Sequence, residues 1–200
     1  MPNAELVCIV EGHGDKESVP ILVRRIASTV DAGLVVHIPA VIRIPRDKLV
    51  KEGELERAVH LAARNLKLNG AILILVDADD ACPATLGPEL LRRASDARPD
   101  IARSIVLAKF EFEAWFLAAA QSLRGVRGLP MDLDPPAAPE GIRGAKGWLS
   151  ERMPADGRYS ETIDQPAMTG VFDLAQALAA DSFDKCSREV QQLLRAVMLA

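Results

Sequence analysis

Residues 71–80 read AILILVDADD, a run of six apolar residues that stops abruptly in a cluster of carboxylates. A short, fully apolar run rich in Ile, Leu and Val is strand-like, and apolarity at every position, not at alternate ones, means that both faces are covered. That is the pattern of a central strand in a parallel sheet with helices on either side. Asn69-Gly70, just ahead of it, supplies the stop for a preceding helix.

The flanking sequence repeats the pattern in both directions. Leu6 to Val10 is a second apolar run, closed by Glu11-Gly12 and followed by Val19, Leu22, Val23 and Ile26 at helical spacing. Leu34 to Ile44 is rich in Val and Ile but contains Pro39 and is bounded by Pro45, which suits an edge strand, where a missing ladder donor is tolerated. Within Glu54 to Leu68, Leu55, Val59, Ala62 and Leu66 share one helical face. Downstream, a helix over roughly Leu86 to Ala97 leads into a strand at Ser104 to Ala108, and the segment around Ala114 to Ala119 reads as buried helix. This alternation predicts an α/β fold: a Rossmann-like, mainly parallel sheet of about four strands, joined by right-handed crossovers, with helices on both faces.

Beyond Leu123 the character changes, because Gly and Pro crowd the interval from Gly125 to Gly144. Helical spacing returns between Pro166 and Leu199, in Val171, Leu174 and Leu178 and again in Val190, Leu193, Leu194 and Val197. The expected organisation is an α/β domain over residues 1–123, then a loop-rich linker and a C-terminal helical extension over 124–200 packing on the same domain.

With 200 residues and 49% hydrophobic content, the chain can bury one sizeable core. The net charge of -4, from 24 basic and 28 acidic residues, excludes a global positive field, so any phosphate partner must be held locally. Cys8, Cys82 and Cys186 have neither zinc spacing nor an even count for disulfides, which points to a reducing, cytoplasmic setting. The N-terminus lacks the order of a signal peptide and the apolar runs are too short to span a bilayer, so no membrane partner is expected.

Ligands of open α/β sheets bind outside the carboxyl ends of the strands. Three acidic clusters fall there: Glu11 to Asp15 (EGHGD), Asp77 to Asp80 (DADD), and Glu111 with Glu113 (EFE). Two unit charges at about 4 Å repel by on the order of 4 kcal/mol at an effective dielectric of about 20, which calls for a cation. Hard oxygen donors suit Mg²⁺, with Mn²⁺ as a substitute. Turn or cap chemistry explains one Asp of DADD more readily than three in four residues. Asp15 fits capping of the helix that begins near Lys16 as well as ligation. Glu111 and Glu113 would share a face of an extended strand, or favour the macrodipole at a helix start, and both readings stand.

The glycines around His13 could present backbone N–H groups to a phosphate, but Glu11, Asp15 and Glu17 would repel it unless a metal intervened. Their spacing matches neither the dinucleotide fingerprint nor a Walker loop. His13, His37 and His60 are too scattered for a metal triad. Trp115 with Phe112 and Phe116 reads as core, and for Trp148 and Tyr159 burial outweighs a substrate contact.

Glu11-Gly12 at the end of a first strand, with Asp15 downstream and Asp77-Ala78-Asp79 at the end of a later one, resembles the Toprim fold. The stretch IVEGHGDKESVPILVRRI is similar to the Toprim domains of OLD-type nucleases. The fuller pattern adds KFEFEAWFL (Lys109 to Leu117), KGWL (Lys146 to Leu149), Tyr159, DQP (Asp164 to Pro166) and SFDK (Ser182 to Lys185). It is similar to an uncharacterised bacterial family of free-standing Toprim-like proteins that carries a domain-of-unknown-function label. The resemblance implies a Mg²⁺-dependent phosphodiester site, with Glu11, Asp77 and Asp79 as central ligands and catalytic use of Glu11. Asp15 would serve a second metal, Glu111 and Glu113 would be outer candidates, and Lys109 and Lys146 would neutralise transition-state charge. Nucleic acid is the implied substrate, cleaved by a nuclease of a bacterial defence system. Unlike OLD-type nucleases this sequence has no ATPase domain, so a companion ATPase is the implied partner. The alternatives are a non-catalytic metal-binding or regulatory partner of that ATPase, and a small-molecule phosphotransferase or phosphohydrolase.

Overall fold

The apolar run at 71–76 lies within strand β4 (Ala71–Asp77), buried on both faces. On one side of it runs β1 (Asn3–Val10) and on the other β5 (Ala102–Ala108), both parallel to it. These features come from a computed structural model, which describes residues 2–67, 69–154 and 157–198. On its far side β1 pairs in parallel with β2 (Val35–His37) and β3 (Val41–Arg43), which completes a five-stranded sheet.

The fold is α/β and Rossmann-like, as the alternation predicted, with one strand more than expected. The single edge strand expected over Leu34 to Ile44 is two strands, because Pro39 falls in the gap between them and cannot donate to a ladder. The interruption is bridged by the Cys8 N–H, which donates to Ala40 O at 3.2 Å.

Each crossover carries a helix: α1 (His13–Val30) after β1, α2 (Arg46–Leu49) and α3 (Glu54–Asn65) before β4, and α4 (Pro83–Ala97) between β4 and β5. Alternate strand residues point to opposite faces. Val7, Ile9, Ile72, Ile74, Ile105 and Leu107 pack against Leu55, Val59 and Ala62 of α3 and Leu90 of α4. Leu6, Cys8, Val10, Leu73, Leu75 and Val106 pack against Val19, Leu22, Val23 and Ile26 of α1 and against α9 (Asp181–Met198).

After β5 the chain turns into α5 (Ala114–Ala118), every residue of which is buried. Trp115 meets Phe183 of α9 at 5.2 Å between ring centroids, and Phe116 meets Phe172 at 5.4 Å, both edge-on, the arrangement aromatic quadrupoles favour. The indole N–H of Trp115 donates to Ser182 Oγ at 2.8 Å. These contacts fasten the C-terminal residues to the sheet.

The stretch predicted as one or two closing helices holds α7 (Asp164–Thr169), α8 (Leu174–Ala177) and α9, preceded by α6 (Ala145–Ser150). Helices of one turn or so leave too little periodicity to read from sequence. Leu68 and Leu199, which end two of the predicted helical stretches, lie outside the described residues. Among the described residues no helix is long and apolar enough to cross a membrane.

Because Phe183 is fully buried at this aromatic joint, Phe183→Ala is expected to lower stability by about 3–5 kcal/mol. Leu61→Ala, at a position 46% exposed, should stay within about 0.5 kcal/mol of the parent chain. Urea denaturation followed by tryptophan fluorescence measures both.

Candidate metal centre

β1 and β4 end side by side, with Val10 opposite Leu75, so Glu11 just beyond β1 comes beside Asp77 at the end of β4. A narrow pocket of about 110 Å³ lies there, lined by Glu11, Gly12, Asp15, Asp77, Glu113, Lys146, Glu161 and Gln165. Beyond the first strand and the turn after it, four stretches of chain contribute to it: the first turn of α1, the end of β4, the turn after β5, and the segment that carries α6 and α7.

Asp77 accepts the Phe112 N–H at 2.8 Å, which ties the end of β4 to the turn after β5. Asp15, in the first turn of α1, accepts the Gly12 N–H at 2.8 Å and a Gln165 side-chain N–H at 2.7 Å, so it closes the turn and faces the pocket together. Glu113, 1% exposed, accepts the Tyr159 hydroxyl at 2.8 Å. The Lys146 ammonium stands 2.9 Å from Glu161 and 3.8 Å from both Glu111 and Glu113. Glu11 Oε2 and Glu113 Oε2 are buried without a hydrogen-bond partner.

Crowding carboxylates away from water favours their neutral forms. Burial, then the charges of Glu113 and Asp15, raises Asp77 well above the usual carboxylate range. Burial, then Asp79, raises Glu11. Glu113 is pushed up to about 7 by burial, against the opposing pull of Lys146. For Lys146 burial acts to lower the pKa, but the carboxylates of Glu113, Glu161 and Asp77 outweigh it and hold the ammonium charged. Burial and the Glu113 charge raise Tyr159, which stays a neutral donor.

The remaining sequence-derived candidates sit around this pocket or away from it. Asp79 is 57% exposed on its side chain, lies outside the pocket lining and pairs with Arg46 at 3.3 Å. It takes a left-handed backbone (φ 47°), and its N–H donates at 3.2 Å to the carbonyl of Phe110, itself left-handed at φ 59°. Two such non-glycine residues bonded to each other mark local strain at the rim. Asp80 is exposed and pairs with Arg143. The Lys109 ammonium lies 4.5 Å from the centre of the Phe110 ring and lines a separate cleft between α4 and α9. Glu111 accepts the Lys146 backbone N–H at 3.3 Å. His13 is exposed at the start of α1.

Among the described residues no group of three or more His, Cys, Asp or Glu side chains is placed to hold a metal ion as it stands. The donor chemistry nevertheless fits Mg²⁺, which takes one or two carboxylates and fills its other positions with water and phosphate oxygens. The unpartnered buried oxygen of Glu11 is the group such a cation would satisfy.

Sequence reasoning missed Glu161 and Arg46, and met Gln165 only inside the DQP motif. Glu161 has no strand end or helical period beside it to draw notice, and Arg46 follows an edge-strand proline.

Fold and pocket together define an α/β protein with an acidic pocket at the carboxyl edge of a parallel sheet. The chain belongs to the family described as Domain of unknown function (DUF4276), whose model matches residues 10–191. No curated protein and no solved structure matches the chain. The family description names no activity, so the Toprim resemblance rests on the residues that carry it.

A methyl group at Gly14 would run into Gln165 Oε1 and come within 2.5 Å of the Glu161 carbonyl, whose backbone cannot yield cheaply. Gly14→Ala is therefore expected to cost about 1–3 kcal/mol in urea denaturation. Glu113 binds its proton more tightly folded than unfolded, so its contribution is full below about pH 4.5 and is lost as pH rises through about 7. At about 1.4 kcal/mol per tenfold change in proton affinity, the loss is on the order of 3 kcal/mol. Denaturation in chelator from pH 4.5 to 8 should show that decline, and Glu113→Gln should make it shallower, with the raised Asp77 and Glu11 supplying the remainder.

Proposed function

We propose that this chain is a Toprim-like, Mg²⁺-dependent nuclease acting on phosphodiester bonds of nucleic acids. The observation that carries the reading is the meeting of Glu11 and Asp77 at adjoining strand ends, with Glu11 Oε2 buried and unpartnered beside the pocket. Glu11 and Asp77 would hold the ion, with Asp79 at the rim. Asp15 is kept in place by Gly12 and Gln165 to orient the ion's waters. Bound Mg²⁺ supplies Lewis-acid polarisation of a phosphoryl oxygen and an activated water. Lys146 offsets charge that builds on the phosphoryl group.

A chain of net charge -4 must meet a polyanion locally. Arg46 and Arg143 flank Asp79 and Asp80 at the rim, and Arg43 reaches the Glu11 carbonyl at 3.4 Å. These three guanidinium groups support a phosphate backbone laid across the mouth of the pocket. The pocket's volume of about 110 Å³ is below the several hundred Å³ of small-ligand sites, which disfavours a small-molecule phosphotransferase or phosphohydrolase. The exposed free thiol of Cys82 supports a reducing, cytoplasmic setting.

A second reading is a non-catalytic, metal-binding partner of an ATPase in a bacterial defence system. The enclosure of the pocket by Lys146, Glu161 and Gln165 favours it, because substrate access is narrow.

The purified chain is expected to cut single-stranded, double-stranded or nicked DNA, or RNA, with Mg²⁺ or Mn²⁺ and to be silent in chelator. Asp77→Asn keeps an acceptor for the Phe112 N–H, so its fold should persist while the rate falls by at least ~100-fold. An unchanged rate in Asp77→Asn would remove the site assignment, and metal binding without cleavage of any substrate would select the second reading.

A further inference from the structure

We infer that the Lys146 ammonium fills the second cation position of this centre, so that the chain takes one divalent ion, at Glu11 and Asp77, instead of two. The inference rests on the metal-binding reading of the pocket and goes beyond it in fixing the stoichiometry and the role of one side chain.

Two-metal phosphoryl-transfer sites set their ions about 3.5–4 Å apart and bridge them with carboxylates. Here Glu11 directly follows β1, Asp15 lies in α1 and Asp77 ends β4, and all three line the pocket. Glu111 and Glu113 come from the turn after β5 and Glu161 from the segment before α7, and all three converge on Lys146 Nζ, at 3.8, 3.8 and 2.9 Å. An ordinary surface lysine meets one carboxylate and swings on a free stem. Lys146 is held at both ends, because its backbone N–H also donates to Glu111 Oε2 at 3.3 Å.

Glu113 shows that this place is built for a cation. Its side chain is 1% exposed, Oε1 takes the Tyr159 hydroxyl, and Oε2 is buried with no hydrogen-bond donor, facing the ammonium at 3.8 Å.

Bound Mn²⁺ is counted on the full chain by calorimetry and by electron paramagnetic resonance, in the parent, Lys146→Ala, Lys146→Met and Lys146→Arg. One ion per chain is expected for the parent and for Lys146→Arg, which keeps the charge. Two are expected for Lys146→Ala and Lys146→Met, with a spin-coupled signal from the neighbouring pair. Lys146→Met keeps most of the aliphatic stem and guards against loss of fold in the alanine variant. Two ions in the parent overturn the inference and leave the metal reading standing, as does one ion in both neutral variants. No bound ion in any of the four proteins overturns both.

Discussion

Strand β4 meets apolar packing on both faces, and the rest of the molecule follows from that constraint. A buried strand must satisfy its backbone in a ladder on each edge and its side chains under a layer on each face. β1 and β5 supply the ladders, and α3, α4, α1 and α9 supply the layers. Parallel pairing then brings the carboxyl ends of β1, β4 and β5 to one rim. Asp77 closes β4 at that rim, where its carboxylate can find the Phe112 N–H and a polar neighbourhood.

Bringing carboxylates together there is costly, and the C-terminal segment answers part of that cost. Lys146 supplies the charge, Tyr159 and Gln165 supply donors to Glu113 and Asp15, and Asp164 is held by Arg127 at 2.6 Å behind them. Lys146, Glu161 and Gln165 are therefore a wall of the pocket. The close approach of Glu161 and Gln165 to Gly14 shows how tightly that wall is set against the first turn of α1, where a residue with Cβ would not fit. The left-handed pair Asp79 and Phe110 belongs to the same arrangement, since it joins the ends of β4 and β5 across the rim.

The fold was legible because its signals are local. AILILV reads as a two-sided strand wherever it occurs, and Pro39 marked the edge even though its consequence, a strand split in two, required the partner β1 to be seen. Glu11 and Asp77 were legible because each follows an apolar run directly. Glu161 and Gln165 were not, because their relevance lies in contacts such as that of Gln165 with Asp15, 150 residues away in the chain. The two lysines make the contrast sharply. Lys109 adjoins a strand end and has the better position in sequence, yet the left-handed turn at Phe110 leaves its ammonium over that ring and toward the α4–α9 cleft. Lys146 lies far along the chain, on a helix too short to announce itself, and reaches the carboxylates.

An acidic chain with an acidic pocket is a poor electrostatic target for a polyanion only when charges are summed over the whole surface. At about 0.1 M salt the screening length is about 10 Å, so exposed acids elsewhere on the surface are largely hidden from a phosphate at the rim. A phosphate at the rim would meet Arg46 beside Asp79, Arg143 beside Asp80, and Arg43 on the outer strand β3. Each of these guanidinium groups is engaged by a carboxylate or a carbonyl, so its direction is already fixed and less side-chain freedom is lost when an oxyanion arrives. A divalent ion bound at Glu11 and Asp77 would add charge of the same sign a short distance below them. The local field at the pocket mouth would then become attractive to phosphate while the molecule as a whole stays negative. Removing Arg46 or Arg143 would weaken that field without touching the carboxylates that line the pocket.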